Sequence, residues 1–175
     1  NFTAIDWFSA KMNAELANIN DLYDKYRISE ALMATYKLVW DDFCSWYLEM
    51  VKPEFVDGKP QPVDQYTLQS TIEFLEDLLK VLHPFMPFIT EELWHLVDDR
   101  KEKECILVAD WPETSAQDES LLNEFELASQ IITQIRNFRQ QKNISPKEKL
   151  SLFIKDWVER EEDLQAKALK AMGRE

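Results

Sequence analysis

Glycine is nearly absent: Gly58 and Gly173 are the only two in 175 residues. Phosphate loops and dinucleotide folds need several glycines so that backbone amides can approach phosphate, and neither a P-loop nor a Rossmann fingerprint is present. Cysteine and histidine are as scarce, two of each. Cys44 and Cys105 cannot build a disulfide framework, and two scattered thiols fit a reducing, cytoplasmic compartment at least as well as a single bridge. Cys44, His83, His95 and Cys105 stand 39, 12 and 10 residues apart, unlike the paired ligands of a zinc site. Apolar runs fall short of the roughly 18 residues that cross a bilayer, and no basic-then-apolar leader opens the sequence, so no membrane partner is expected.

What is there is apolar and acidic. Hydrophobic residues make up 45%, with six Trp, five Tyr and ten Phe, far from the composition of disordered chains. A chain of this length supports one domain, or one domain and part of a second, and buries about 70% of the surface its unfolded form exposes. It begins at Asn1 and stops at Glu175 inside a Lys- and Ala-rich helical pattern, which reads as a piece of a longer protein.

Ile5, Phe8, Met12, Leu16, Ile19 and Tyr23 recur at steps of three and four, the stripe of an amphipathic helix. Ile28, Leu32, Tyr36, Val39, Phe43, Trp46 and Met50 do the same until Lys52-Pro53 stops a second helix. Residues 53–63 hold three of the seven prolines and one glycine and read as a surface loop. A third helix follows, with Leu68, Ile72, Leu75, Leu79 and Leu82 inward and Phe74, Leu78 and Val81 widening the stripe. Pro84 and Pro87 set a corner, and Thr90 is the expected N-cap of a short fourth helix through Val97. Ile106-Leu107-Val108 reads as a short extended piece. A fifth helix is expected from near Asp118 to about Lys142, with Leu121, Phe125, Ala128, Ile132, Ile135 and Phe138 inward and Arg136 and Arg139 outward. Beyond Ser145-Pro146, residues 150–155 alternate as a strand, and Asp156 caps a final helix. The fold class is therefore mainly α: an antiparallel helical bundle over 1–117, then a basic helix, strand and helix over 118–175 that open an incomplete α+β subdomain.

Charge is uneven. Residues 1–97 carry a net −9 and 98–135 a net −7, whereas 136–155 carry +5 from Arg136, Arg139, Lys142, Lys147, Lys149 and Lys155 against Glu148. A polyanion would meet that basic island first. Catalytic chemistry is not visible. Glu92 and His95 form one ExxH unit, but a bundle di-iron site needs two such units and two further Glu, and no second unit exists. Asp41-Asp42 and Glu91-Glu92 are adjacent, about 100° apart on a helix, and do not form a poised acid and base. No metal and no catalytic residue is assigned. From these residues alone a helical protein-interaction module and a bundle metalloenzyme stay open beside an RNA-binding bundle.

Residues 27–53, RISEALMATYKLVWDDFCSWYLEMVKP, and 82–95, LHPFMPFITEELWH, resemble the anticodon-binding region of the valyl-tRNA synthetase family, class I aminoacyl-tRNA synthetases. Ser45 is one departure from the family's usual Asp-Trp-Tyr. Ile106 to Pro112 and QIRNFRQQKNISPKEK extend the likeness, which covers about residues 20–150. Isoleucyl and leucyl relatives share the bundle with looser versions of these strings.

The resemblance implies a bundle that begins with one more helix before residue 1 and binds the anticodon arm of tRNA(Val). It also implies catalytic and editing domains upstream, because the two ATP-site signatures of the family are missing here; ATP and Mg belong to the full-length enzyme, and no cofactor is expected in this piece. Antiparallel helices gather two groups of turns: the start of helix one with the loop from Lys52 to Val63, and Lys25, Tyr26 and Arg27 with the Pro84–Pro87 corner. The Lys52 end is the expected RNA contact, since Lys52, Phe55, Lys59 and Gln61 offer cation, stacking ring and polar reader in one loop, and the resemblance implies the same end, because in related class I synthetases residues just after the matching helix sit close to the anticodon. Arg136, Arg139 and Lys142 are the expected phosphate contacts, and Trp46, Tyr47, His83 and Trp94 are read as packing.

Overall fold

The first stripe folds as its spacing dictates. In the computed structural model, which describes residues 2–53, 55–101, 103–115, 118–145 and 148–151, helix α1 (Phe2–Asp24) buries Ile5, Phe8, Met12, Leu16 and Ile19. The chain divides into two compact units, Asn1–Gln117 and Asp118–Glu175. In the first, a three-residue turn reverses α1 into α2 (Ile28–Lys37), which continues as a π-helix, π1 (Leu38–Tyr47), and a last α turn, α3 (Leu48–Val51). Pro53 then ends the helix.

This second rod does not bury the face its apolar spacing suggests. Ala31 and Thr35 point inward from α2, then Leu38, Phe43 and Tyr47 from π1 and Val51 from α3, while Ile28, Leu32, Tyr36 and Met50 are exposed. Two causes combine. Close approach to α1 selects the small Ala31 and Thr35 over the bulkier residues beside them. The wide i→i+5 turns then re-phase the helix, so that Phe43, five residues after Leu38, returns to the core side. There Phe8 of α1 is fully enclosed, its ring centroid 5.2 Å from Phe43, 4.9 Å from Tyr47 and 4.9 Å from Phe74.

Phe74 belongs to α4 (Gln65–Leu82), whose N-terminus is capped by Asp64: the carboxylate accepts from the Thr67 amide at 2.9 Å and the Thr67 hydroxyl at 2.7 Å. α4 buries Thr67, Ser70, Phe74, Leu78, Leu79 and Val81. Leu79 of the expected inner row is buried, but the widening residues Phe74, Leu78 and Val81 make up more of the inner face than that row does, and Leu68 is exposed. Tyr47 fastens this contact. The single Thr71 hydroxyl proton goes to the Thr67 carbonyl at 2.7 Å, so Tyr47 donates to Thr71 Oγ1 at 2.8 Å.

α5 (Pro87–Val97) starts at Pro87, with Met86 in the capping position. Thr90 is therefore not the N-cap; it is buried inside the helix, its hydroxyl bonded to the Met86 carbonyl and His83 Nδ1, each at 2.8 Å. Proline suits the first helical position because its missing N–H is one that no helix start can pair. Ile106–Val108 is a 3₁₀ turn and not an extended piece: Ile106 tucks in beside Leu79 and Trp94, leaving Leu107 and Val108 outside. The Trp94 indole donates to the Glu104 carbonyl at 3.0 Å, and the Arg100 guanidinium covers the ring 3.7 Å from its centroid while bonding Glu76 and the Trp94 carbonyl. No helix among the described residues is long and apolar enough to cross a membrane.

In the second unit, α6 (Glu119–Gln141) is capped by Asp118, which accepts from the Leu121 amide at 3.0 Å. None of its side chains is buried. Ile132 and Ile135 are half-buried, and Phe138, expected inside, is 51% exposed. The expected strand at 150–155, apart from Leu150 and Ser151, and the helix after Asp156 lie outside the described residues.

Candidate nucleic-acid interface

Between α3 and α4 the proline-rich loop contains a small hairpin. Strand β1 (Phe55–Val56) pairs antiparallel with β2 (Lys59–Pro60), Phe55 opposite Pro60 and Val56 opposite Lys59. The reversal is carried by Asp57 and Gly58, at φ 52° and 76°. Both central residues of a type I′ turn need positive φ, which is why Asp-Gly makes it. The hairpin holds Phe55 out at 64% exposure, with Val56, Lys59 and Gln61 also in solvent. Gln61 Nε2 reaches the Lys59 carbonyl at 3.5 Å, and Lys52, exposed at the end of the rod, bonds Glu49 at 3.0 and 3.3 Å. An exposed pair of this kind contributes little and is readily exchanged for a phosphate.

Two further rings stand at this end. Phe2, opening α1, and Tyr66, opening α4, pack with centroids 5.3 Å apart and are both more than half exposed. Sequence reasoning missed them because neither falls on a stripe; each is the ragged first turn of a helix, and only the fold brings the two rings together. The opposite end of the bundle carries Lys25, Tyr26 and Arg27. Tyr26 is 88% exposed at φ 57°, and Arg27 bonds Glu30, which raises the guanidinium pKa. Nearby, Tyr23 stacks on Phe85 of the proline corner at 6.4 Å.

Arg136, Arg139 and Lys142 sit at the end of α6, in the second unit. Arg136 and Lys142 are exposed. Arg139 is half-buried and occupied by structure: its guanidinium donates to the Ser145 carbonyl at 2.7 Å and the Glu148 carbonyl at 2.9 Å, locking the turn that Asn143 opens at φ 52°. Lys147 and Lys155 lie outside the described residues. Of the residues read as packing, Tyr47 and Trp94 are buried, and Trp46 and His83 are half-buried. His95 bonds Glu91 Oε1 at 3.0 Å, not Glu92, and Glu91 Oε2 accepts the Ile106 amide at 3.2 Å, so this carboxylate ties helix to loop.

Residues 6–154 match the family described as the anticodon-binding domain of tRNA ligase. The chain belongs to this family. The match takes in the hairpin, the proline corner and all of α6. Among similar proteins, the valine–tRNA ligase of Parabacteroides distasonis is 48% identical over 86% of this chain. That of Phocaeicola vulgatus is 50% identical over the same share, and that of Enterococcus faecalis 33% over 85%. In each case this anticodon-binding domain spans only 17% of the relative's length.

Proposed function

We propose that this chain is the anticodon-recognition part of a valine–tRNA ligase, gripping the anticodon arm of tRNA(Val) so that its acceptor end reaches catalytic and editing domains elsewhere in the longer polypeptide. ATP and Mg act in those domains, and the residues here take no part in activation. The observation that carries the reading is the hairpin, which holds an exposed phenyl ring among two lysines and a carboxamide at one end of the bundle. RNA loops are recognised through unstacked bases that lie on aromatic faces and are read along their edges, so Phe55 stacks, Gln61 meets a base edge, and Lys52 and Lys59 meet phosphates. The type I′ turn fixes the ring before RNA arrives, which lowers the ordering cost of binding.

A net charge of −13 opposes a polyanion, because phosphate neutralisation supplies most sequence-independent affinity. The basic end of α6 relieves this locally, and the longer protein supplies further basic surface. Weak binding by the isolated chain and tight binding by the full protein follow. Footprinting of the full-length ligase on its tRNA tests the reading: protection of the anticodon loop should vanish when residues 1–150 are deleted. Protection that survives the deletion would exclude it.

A further inference from the structure

Phe138 breaks the logic of its own helix. It continues the apolar row Ile131, Ile135, yet its ring stands half in solvent near the end of α6. Helix geometry brings residues three and four apart onto one surface, and for Phe138 these include Gln134, Gln141 and Lys142, all exposed. Among the described residues none of these three has a side-chain partner. No acidic residue occurs from Leu127 to Asn143, in a chain where acids outnumber bases 33 to 20. The helix end, ordinarily hostile to an anion, is closed: the Phe138, Arg139 and Gln140 carbonyls accept from the amides of Lys142, Ile144 and Asn143.

We propose that Phe138 is a second stacking platform for one unpaired nucleotide of the bound RNA, with Gln134 and Gln141 meeting the base edge and Lys142 its phosphate. The inference rests on the tRNA-binding reading above and adds a contact outside the hairpin. Arg139 is a positioning residue in this arrangement, holding the turn after the platform through Ser145 and Glu148. An aromatic ring with amides and a cation beside it suits RNA better than a protein surface, since stacking tolerates any base and the free lysine has no acid to answer it.

The test uses the full-length ligase and its tRNA, with affinity measured at two salt concentrations. Phe138→Ala is expected to weaken binding about tenfold, Phe138→Trp to restore it, and Phe138→Leu to stay weak, because leucine keeps the apolar volume and loses the π face. The salt slope should be unchanged in Phe138→Ala and fall by about one in Lys142→Ala. Wild-type affinity in Phe138→Leu would mean ordinary packing and overturn the inference. Unchanged affinity in Phe138→Ala, in a protein that binds tRNA and loses anticodon discrimination through Phe55→Ala, overturns this inference alone. Absence of tRNA binding by the unsubstituted ligase overturns the proposed function with it.

Discussion

Lys11 Nζ lies 3.8 Å from Asp42 Oδ2, but only 2.9 Å from Glu15 Oε1, so one ammonium between α1 and π1 serves two carboxylates and serves Asp42 poorly. Asp42 Oδ2 is buried without a hydrogen bond. Burial pushes its carboxyl up to about 6 against the pull of Lys11, with Glu15 adding to the rise. The folded protein therefore holds this proton more tightly than the unfolded chain. Stability from this group is full below about pH 4 and is lost as pH rises through 6. Asp42→Asn should flatten that decline and stabilise the bundle by roughly 1–3 kcal/mol at pH 7. Denaturant titrations at pH 4 and 7 check it; equal stabilities of wild type and variant at pH 7 would contradict it.

Tyr26 occupies the left-handed position that closes α1, where the Arg27 amide reaches back to the Leu22 carbonyl at 2.8 Å. Glycine is the usual residue there, and a tyrosine 88% exposed recovers nothing by packing. Tyr26→Gly should stabilise the first unit by about 1 kcal/mol. Thermal melts measure this, and Tyr26→Ala, still strained, should show no gain.

Tyr47→Phe removes one proton from the chain Tyr47, Thr71, Thr67 and leaves the Phe8 cluster filled. A loss of about 1 kcal/mol is expected. Tyr47→Ala opens a cavity among Phe8, Phe43 and Phe74 and should cost roughly 3–5 kcal/mol.

The isolated chain should give no valine-dependent ATP–pyrophosphate exchange, because it carries neither nucleotide signature of its family and almost no glycine. Robust exchange by the purified chain would refute the division of labour proposed above.

In the full-length ligase, Phe55→Ala or Lys52→Ala should narrow the gap between tRNA(Val) and anticodon-swapped tRNAs by roughly 1–3 kcal/mol. Arg136→Ala and Lys142→Ala should weaken both tRNAs alike and lower the salt slope. Competition at two salt concentrations separates the classes. If Lys25→Ala or Arg27→Ala abolished discrimination and Phe55→Ala left it intact, the anticodon would lie at the other end of the bundle.

Helix positions were legible wherever the sequence places a stop or a cap: Pro53, the Pro84–Pro87 corner and Asp118 each bound an element as their chemistry requires. The stripe of α1 was legible, since Ile5, Phe8, Met12, Leu16 and Ile19 are all buried, but Trp7 and Ala10, off that stripe, are buried as well and its spacing did not show them. The inner face of α2 was not legible, because Ile28, Leu32, Met33, Tyr36 and Trp40 make an apolar wall beside the true core row, and apolar count cannot tell a wall from a core. Burial went instead to Ala31 and Thr35, chosen by the closeness of α1. The hairpin carried its own signal in Asp57-Gly58, obscured by the prolines that frame it. The pairing of Phe2 with Tyr66 is a product of topology alone.

The π-helical segment makes chain length a softer variable here than composition. Between Leu38 and Phe43 the two inward rows are joined by five steps, where an α-helix would use four. Removing one residue from that interval leaves an unbroken α-helix with Leu38, Phe43 and Tyr47 still facing α1. A relative shorter by one there keeps the same hydrophobic architecture, so a gap in an alignment at this point marks conserved geometry and not divergence.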